Sequence, residues 1–217
     1  MAERPDGYQS HTGHGARIRA DVVDVYVFTR VEKNGNDPRE RAAAKASTAR
    51  GYESEAEWPR EATKARSHGA TKGQDGDVVH FLQALRSGPP LENTWHPVMG
   101  HVEAGETSAA CAVREMREEL GLSPQTTAWR GMWALEQVHP FYIAAIDTVV
   151  VSPRFCVEVG PVWTPVLNDE HAEFRWVRET DVDAMFMWPG QKATCREILR
   201  EVVRDASLSR EWLRVKA

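Results

Sequence analysis

The stretch from Gly100 to Leu122, GHVEAGETSAACAVREMREELGL, constrains this chain more than any other. Thr107 or Ser108 supplies a helix N-cap, with Glu103 and Glu106 just upstream, near the positive end of the helix dipole. Gly121 supplies the stop. Between them the helix runs for roughly four turns. At ~100° per residue, Ala109, Val113, Met116 and Leu120 fall on one stripe, which predicts the buried face. Glu115, Glu118 and Glu119 stand at spacings i, i+3 and i+4 and share a neighbouring face. Three carboxylates there repel one another. A divalent cation removes that repulsion. Carboxylate oxygens suit Mg²⁺ or Mn²⁺, ions usually shared with substrate phosphates. Crowding raises the proton affinity of one carboxylate, which can then serve as a general base. Arg114 can pair with one of the glutamates and orient it. Three glutamates alone would leave a solvated acidic face as an equal alternative.

The whole pattern runs Gly100, five residues, Glu106, seven residues, Arg114-Glu115-Met116, one residue, Glu118-Glu119, one residue, Gly121-Leu122. It resembles the Nudix box at every defining position, and weaker similarity extends from about Val22 to Val203. The resemblance implies an α/β/α sandwich with a mixed β-sheet. It also implies hydrolysis of a diphosphate linked to another moiety, with Mg²⁺ or Mn²⁺ as cofactor. By position, Glu115, Glu118 and Glu119 match the family's metal-binding and base-providing glutamates, and Arg114 its orienting arginine. Glu106 matches a supporting upstream acid, and Gly100 the loop glycine whose carbonyl reaches a metal. The general base varies within the family and stays unassigned among the glutamates.

The rest of the composition sets bounds. At 217 residues and 41% hydrophobic, the chain can bury one core. A net charge of -5 gives no broad basic field for nucleic acid or an anionic membrane. Three dispersed cysteines, Cys111, Cys156 and Cys195, provide neither a disulfide framework nor a zinc site. No apolar signal core or membrane-length run is present. A cytoplasmic protein acting on a small phosphorylated molecule is expected. Many members of the resembled family are dimers, which keeps a homodimer open, but no stretch marks an interface.

Along the chain, residues 1–20 read as a polar tail. A single domain is expected over 21–206 and a C-terminal extension over 207–217, with one amphipathic turn around Trp212 and Leu213. Val22–Phe28 alternates about Val23, Val25 and Val27, which predicts a strand with one face to the core. Residues 32–77 contain no Val, Ile, Leu, Met or Phe and read as an insertion beside the mouth of the site. A gating or partner-binding arm anchored by Trp58 is its functional alternative. Val78–Arg86 reads as a strand, and the resemblance brings Arg86 toward substrate phosphates. Residues 127–138, 141–151 and 154–159 are rich in β-branched and aromatic residues and should join the same mixed sheet. Glu136 falls in the first of these and is a spare acid. In Asn168–Val177, Phe174 and Trp176 alternate with Arg175, so a strand follows an acidic turn. The resemblance makes Glu170 a further metal ligand, with Asp169 and Glu173 weaker candidates. His171 could donate to a phosphate or base, or stand solvated in the turn. A final helix is expected at about 190–205, with Ile198, Leu199, Val202 and Val203 on its apolar face.

The expected reaction is hydrolysis of a nucleoside- or pterin-triphosphate-like substrate, releasing pyrophosphate or phosphate. The spacing of residues 170–188 resembles the branch containing dihydroneopterin triphosphate pyrophosphohydrolase. Nucleotide sugars and dinucleoside polyphosphates are the alternatives. A non-catalytic nucleotide-sensing module is the alternative of another class.

Overall fold

The computed structural model describes residues 15–32, 77–89, 91–204 and 207–216. Ten strands are present: β1 Arg17–Arg19, β2 Val22–Glu32, β3 Asp77–Arg86, β4 Trp95–His96, β5 Val98–His101, β6 Trp129–Ala134, β7 Phe141–Ile143, β8 Thr148–Val150, β9 Arg154–Val159 and β10 His171–Arg178. The helices are α1 Ser108–Leu120, α2 Val182–Met185, α3 Pro189–Ile198 and α4 Arg210–Leu213. A π-helical turn, Leu199–Val203, continues α3. No helix among the described residues is long and apolar enough to cross a membrane.

The main sheet has the order β10-β3-β2-β9-β6, with β4 added to β3 and β5 to β2. The β2–β9 pair is parallel and the others are antiparallel, so the sheet is mixed. Both faces are covered. On one face Val23, Val25, Val27, Leu82 and Trp176 pack with Cys111, Ala112, Met116 and Leu120 of α1. On the other, Tyr26, Phe28, Phe81 and Val177 pack with Val182, Phe186, Cys195, Ile198 and Val202. This is the α/β/α layering expected from the box. Burying one Met or Leu side chain in such a layer contributes about 1.5–3 kcal/mol.

Several local expectations need correction. The strand β2 is buried on both faces from Val22 to Thr29, because helices cover the sheet on two sides. Residues 141–150 do not join the main sheet; β7 and β8 form a separate three-stranded sheet with β1. That sheet also takes Arg17–Arg19 out of the expected polar tail. Glu136 lies beyond the end of β6 and is exposed. Helix α4 places Leu213 against the core but leaves Trp212 exposed.

The chain between β2 and β3, residues 33–76, and the first 14 residues lie outside the described residues, Trp58 among them. Glu32 and Asp77 face each other in the β2–β3 ladder, at the end opposite Val22 and Arg86. Nine residue steps of β3 separate Asp77 from Arg86, about 30 Å. The intervening segment is therefore attached at the far end of the sheet, not beside the cleft described next.

Candidate metal and phosphate site

A cleft of about 330 Å³ opens where α1, the β4–β5 segment and the start of β10 converge. Arg86, Gly100, Arg114, Glu115, Glu119, Glu170 and His171 all line it. Its other wall is largely apolar, from Val22, Leu91, Pro97, Met99 and Val102. Residues from Val22 to His171 meet here because β2, β3, β5 and β10 all begin or end at this edge, beside α1.

Helix α1 is set by its termini. Thr107 accepts a hydrogen bond from Ala110 N at 3.2 Å, and Gly121 closes the helix in the left-handed region at φ 64°. A cap of this kind contributes about 1 kcal/mol. The buried face includes Cys111, Ala112, Met116, Glu119 and Leu120, with Ala109 and Val113 at its rim. It is wider than the expected stripe and takes in Glu119. The three glutamates therefore do not share one solvated face: Glu118 is exposed, while Glu115 is half-buried and Glu119 buried.

Arg114 is the hub of the cluster. Its Nη1 donates to Glu115 Oε1 at 2.8 Å and to Glu118 Oε2 at 3.2 Å. Its Nε and Nη2 each donate to Glu106 at 3.1 Å, and Nη2 also donates to the His101 carbonyl at 2.9 Å. Glu106 in turn accepts from the Glu103 amide, which fixes the loop before the helix. The Arg114 hydrogen bonds hold the Glu106 carboxyl below its ordinary range. Burial raises the proton affinity of Glu115; Arg114 opposes that rise, and the charges of Glu118 and Glu170 add to it.

Glu119 takes a different partner. His171 Nε2 donates to Glu119 Oε2 at 2.7 Å, with both side chains almost fully enclosed. Burial raises the Glu119 pKa and His171 pulls it back. The pairing depends on a β-bulge. The β10–β3 register runs Phe174↔Ala84 and Glu173↔Leu85, then His171↔Arg86, so Ala172 is an extra residue. The bulge turns His171 to the face carrying Phe174 and Trp176. His171 is thus not solvated: it is buried, and it closes the turn as the first residue of β10.

Glu170 sits at the cleft mouth, 3.5 Å from Arg86 Nη1, and is more exposed than the other acids. Asp169 and Glu173 do not line the cleft. Two residues not expected from the sequence, Ser87 and Asn168, support the arrangement. Ser87 N and Oγ donate to the Glu170 and Asp169 carbonyls, and Asn168 Oδ1 accepts from Glu170 N. The Asn-Asp pair ahead of the strand was an available turn signal. His96, buried in the cleft wall, is pushed down to about 4, chiefly by burial and further by the nearby Arg86 and His171.

The donor set fits a hard divalent cation. Glu115, Glu118, Glu119 and Glu170 are oxygen donors, as Mg²⁺ and Mn²⁺ require. Gly100 shapes the same place: a Cβ there would overlap the Glu115 side chain. Among the described residues, no three acidic, imidazole or thiol side chains converge tightly enough to enclose an ion. In this arrangement Arg114 draws Glu115 and Glu118 to itself, and Arg86 draws Glu170 away.

Comparison with known families decides the assignment. A family model described as the NUDIX domain matches residues 70–198, more than half of the chain. The chain belongs to the Nudix family. Among curated Nudix-region relatives, "Putative 8-oxo-dGTP diphosphatase 3" of Mycobacterium tuberculosis is 29% identical over 124 residues, 57% of this chain. That match covers 55% of the relative, so the chain spans about half its length. The Nudix hydrolase RenU of M. smegmatis superposes with a TM-score of 0.53 at 19% identity, covering 94% of this chain and 98% of that one. The NUDIX domain of Shewanella oneidensis NrtR, solved with ADP ribose, gives a TM-score of 0.50 at 11% identity over 91% and 92%. These two likenesses show the Nudix fold.

Proposed function

We infer that this chain is a metal-dependent pyrophosphohydrolase acting on a nucleoside triphosphate or a pterin triphosphate. The observation that carries the reading is that Glu115, Glu119 and Glu170 line one cleft with Arg114 and Arg86, while Glu106 and Glu118, outside that lining, are tied to it through Arg114. The name of the 29% identical M. tuberculosis relative supports a nucleoside triphosphate. Three free, buried cysteines support a reducing, cytoplasmic setting. One sheet containing both β2 and β10 supports a single domain over 21–206.

In this reading Glu115, Glu118 and Glu119, with Glu170 and the Gly100 carbonyl, hold Mg²⁺ or Mn²⁺. When bound, the ion supplies charge neutralisation at the phosphate and activation of water. The protein does the rest. Arg114 holds Glu106, Glu115 and Glu118 in register and keeps the loop from Gly100 to Glu106 closed on the helix. Arg86 exchanges Glu170 for a substrate phosphate, a charge-assisted contact of the same kind. One of the box glutamates accepts the proton of the attacking water, and the raised proton affinity of the half-buried Glu115 supports it in that role. The apolar wall of Leu91, Pro97 and Met99 takes the moiety beyond the phosphates.

The test is product chromatography over nucleoside triphosphates, dihydroneopterin triphosphate, nucleotide sugars and dinucleoside polyphosphates, with Mg²⁺, Mn²⁺ or chelator. Metal-dependent release of pyrophosphate and a monophosphate supports the reading. Cleavage confined to nucleotide sugars or dinucleoside polyphosphates replaces the substrate class. Tight nucleotide binding without turnover on any substrate replaces the enzyme with a sensing module.

A further inference from the structure

Glu119 has an unusual setting for a metal-binding carboxylate. It is only 2% exposed and lies on the same helix face as Met116 and Leu120. A carboxylate withdrawn from water is costly unless a donor reaches it. Among the described residues, the one side chain that does so is His171, through Nε2 at 2.7 Å. The other ring nitrogen, Nδ1, is buried without a hydrogen-bond partner. The imidazole is therefore oriented by its backbone and by Glu119, not by a further acceptor.

That backbone is pinned on two sides. His171 N donates to the Asn168 carbonyl at 3.3 Å, and Asn168 N donates to the Glu119 carbonyl at 3.4 Å. Ser87, at the end of β3, donates from N to the Glu170 carbonyl at 2.9 Å and from Oγ to the Asp169 carbonyl at 2.6 Å. One short turn, residues 168–171, thus grips Glu119 at its main chain and at its carboxylate. The bulge at Ala172 is what lets the second grip form. Oε2 of Glu119 is committed to the imidazole, while the residue itself lines the cleft.

We propose that His171 is a positioning residue, which fixes the Glu119 carboxylate so that Oε1 is presented to the metal, and that it does not itself touch substrate. This rests on the reading of Glu119 as a metal ligand. Hydrogen-bond partners behind a ligand typically change metal affinity or activity by about 10–100-fold when removed.

The experiment uses the full-length protein and Mn²⁺ alone as the first probe, titrated by calorimetry or electron paramagnetic resonance without substrate. His171→Leu removes the donor. His171→Gln carries an amide nitrogen to the reach of Nε2, and His171→Asn stops short near Nδ1. Mn²⁺ affinity is expected to fall ~10–100-fold in the Leu and Asn variants and to recover in the Gln variant. With substrate, kcat should fall in the same order while KM stays near that of the wild type. In a Glu119→Gln background, His171→Leu should cause no further loss of Mn²⁺ affinity, because the two act as one unit.

Unchanged Mn²⁺ affinity in His171→Leu would overturn the proposal. So would a raised KM at unchanged kcat, which places His171 on the substrate. A His171→Gln variant as weak as His171→Leu would also overturn it, since the imidazole itself would then be required. Circular dichroism checks folding. If His171→Leu does not fold, the Gln and Asn variants carry the same comparison. A wild-type protein that turns over substrate while binding Mn²⁺ with no contribution from Glu119 would sink this inference alone. A wild type that neither binds Mn²⁺ nor turns over would sink the site reading and this inference with it.

Discussion

Glu115 lays its Cγ and carboxyl carbon on the Cα of Gly100, in the space that a Cβ would fill. The box loop and the box helix are therefore fitted to each other at one atom. Gly100→Ala must displace the Glu115 side chain or open β5 from α1. Overpacking of this kind costs about 1–3 kcal/mol. We expect a folded protein with a lowered melting temperature and Mn²⁺ affinity reduced by at least tenfold, about the scale of lost ligand support. Wild-type Mn²⁺ affinity in this variant would show that Glu115 is not held through Gly100.

Glu119→Gln separates stability from function. Its size and its hydrogen bond with His171 are preserved, but the charge is gone. Turnover should fall by a factor of about a hundred or more. Stability of the metal-free protein should move the other way. Burial raises the Glu119 pKa above its ordinary value of 4.5. The wild-type contribution from this group is thus fully present below that value and is lost as pH rises through the raised folded value. Relative to wild type, metal-free Glu119→Gln should gain stability as pH increases over this range, then level off. Thermal melts at several pH values with chelator read this directly. A wild type that gains on the variant with rising pH would contradict the assigned shift. Glu173→Gln, altering an acid outside the cleft, should leave turnover near normal.

A buried ion pair on the opposite face of the sheet offers a separate test. Arg154 Nε donates to Asp24 Oδ2 at 3.2 Å, and its Nη1 donates to Thr194 Oγ1 at 2.7 Å and to the Gly190 carbonyl at 3.1 Å. Arg154 ties the sheet to the start of α3. Asp24→Ala leaves that guanidinium without its carboxylate, and breaking a buried pair this way costs about 3–5 kcal/mol. Urea denaturation should show the loss in the midpoint, with metal affinity at the cleft unchanged. A cost under about 1 kcal/mol would mean that Arg154 is satisfied without Asp24.

The sequence displayed this site unevenly, for physical reasons. The ends of α1 were readable because Thr107 and Gly121 act locally. Its phase was less so: the sheet covers a wider arc of the helix than an apolar stripe marks, and Glu119 falls within it. Strict alternation carried back from Phe174 and Trp176 would put His171 on the opposite face, with Arg175. The extra residue Ala172 reverses that assignment, and a bulge leaves no periodic trace. The β-branched run at 148–151 announces a strand but not its partner, so the small sheet of β1, β7 and β8 was invisible. Ion-pair choices such as Arg86 with Glu170 depend on tertiary approach alone.

The β2–β3 ladder makes a last prediction. Its final pair, Glu32↔Asp77, already brings the two strands to neighbouring distance. Replacing residues 33–76 by a two-residue Asn-Gly turn should keep the fold, since that turn matches the twist of paired strands. Metal affinity and turnover should be retained. Loss of turnover in a folded protein would show that the segment reaches the cleft from its distant attachment.

That geometry also bears on how such a chain can change over generations. The two strands meet whether the excursion between them is two residues or many, and loop-closure entropy grows only slowly with length. Sequence can accumulate, be exchanged or be lost there without moving Arg86 or Val22 at the other end of the same strands. The cleft edge and the excursion are attached at opposite ends of one ladder, and that junction offers a place to graft a reporter or an affinity handle.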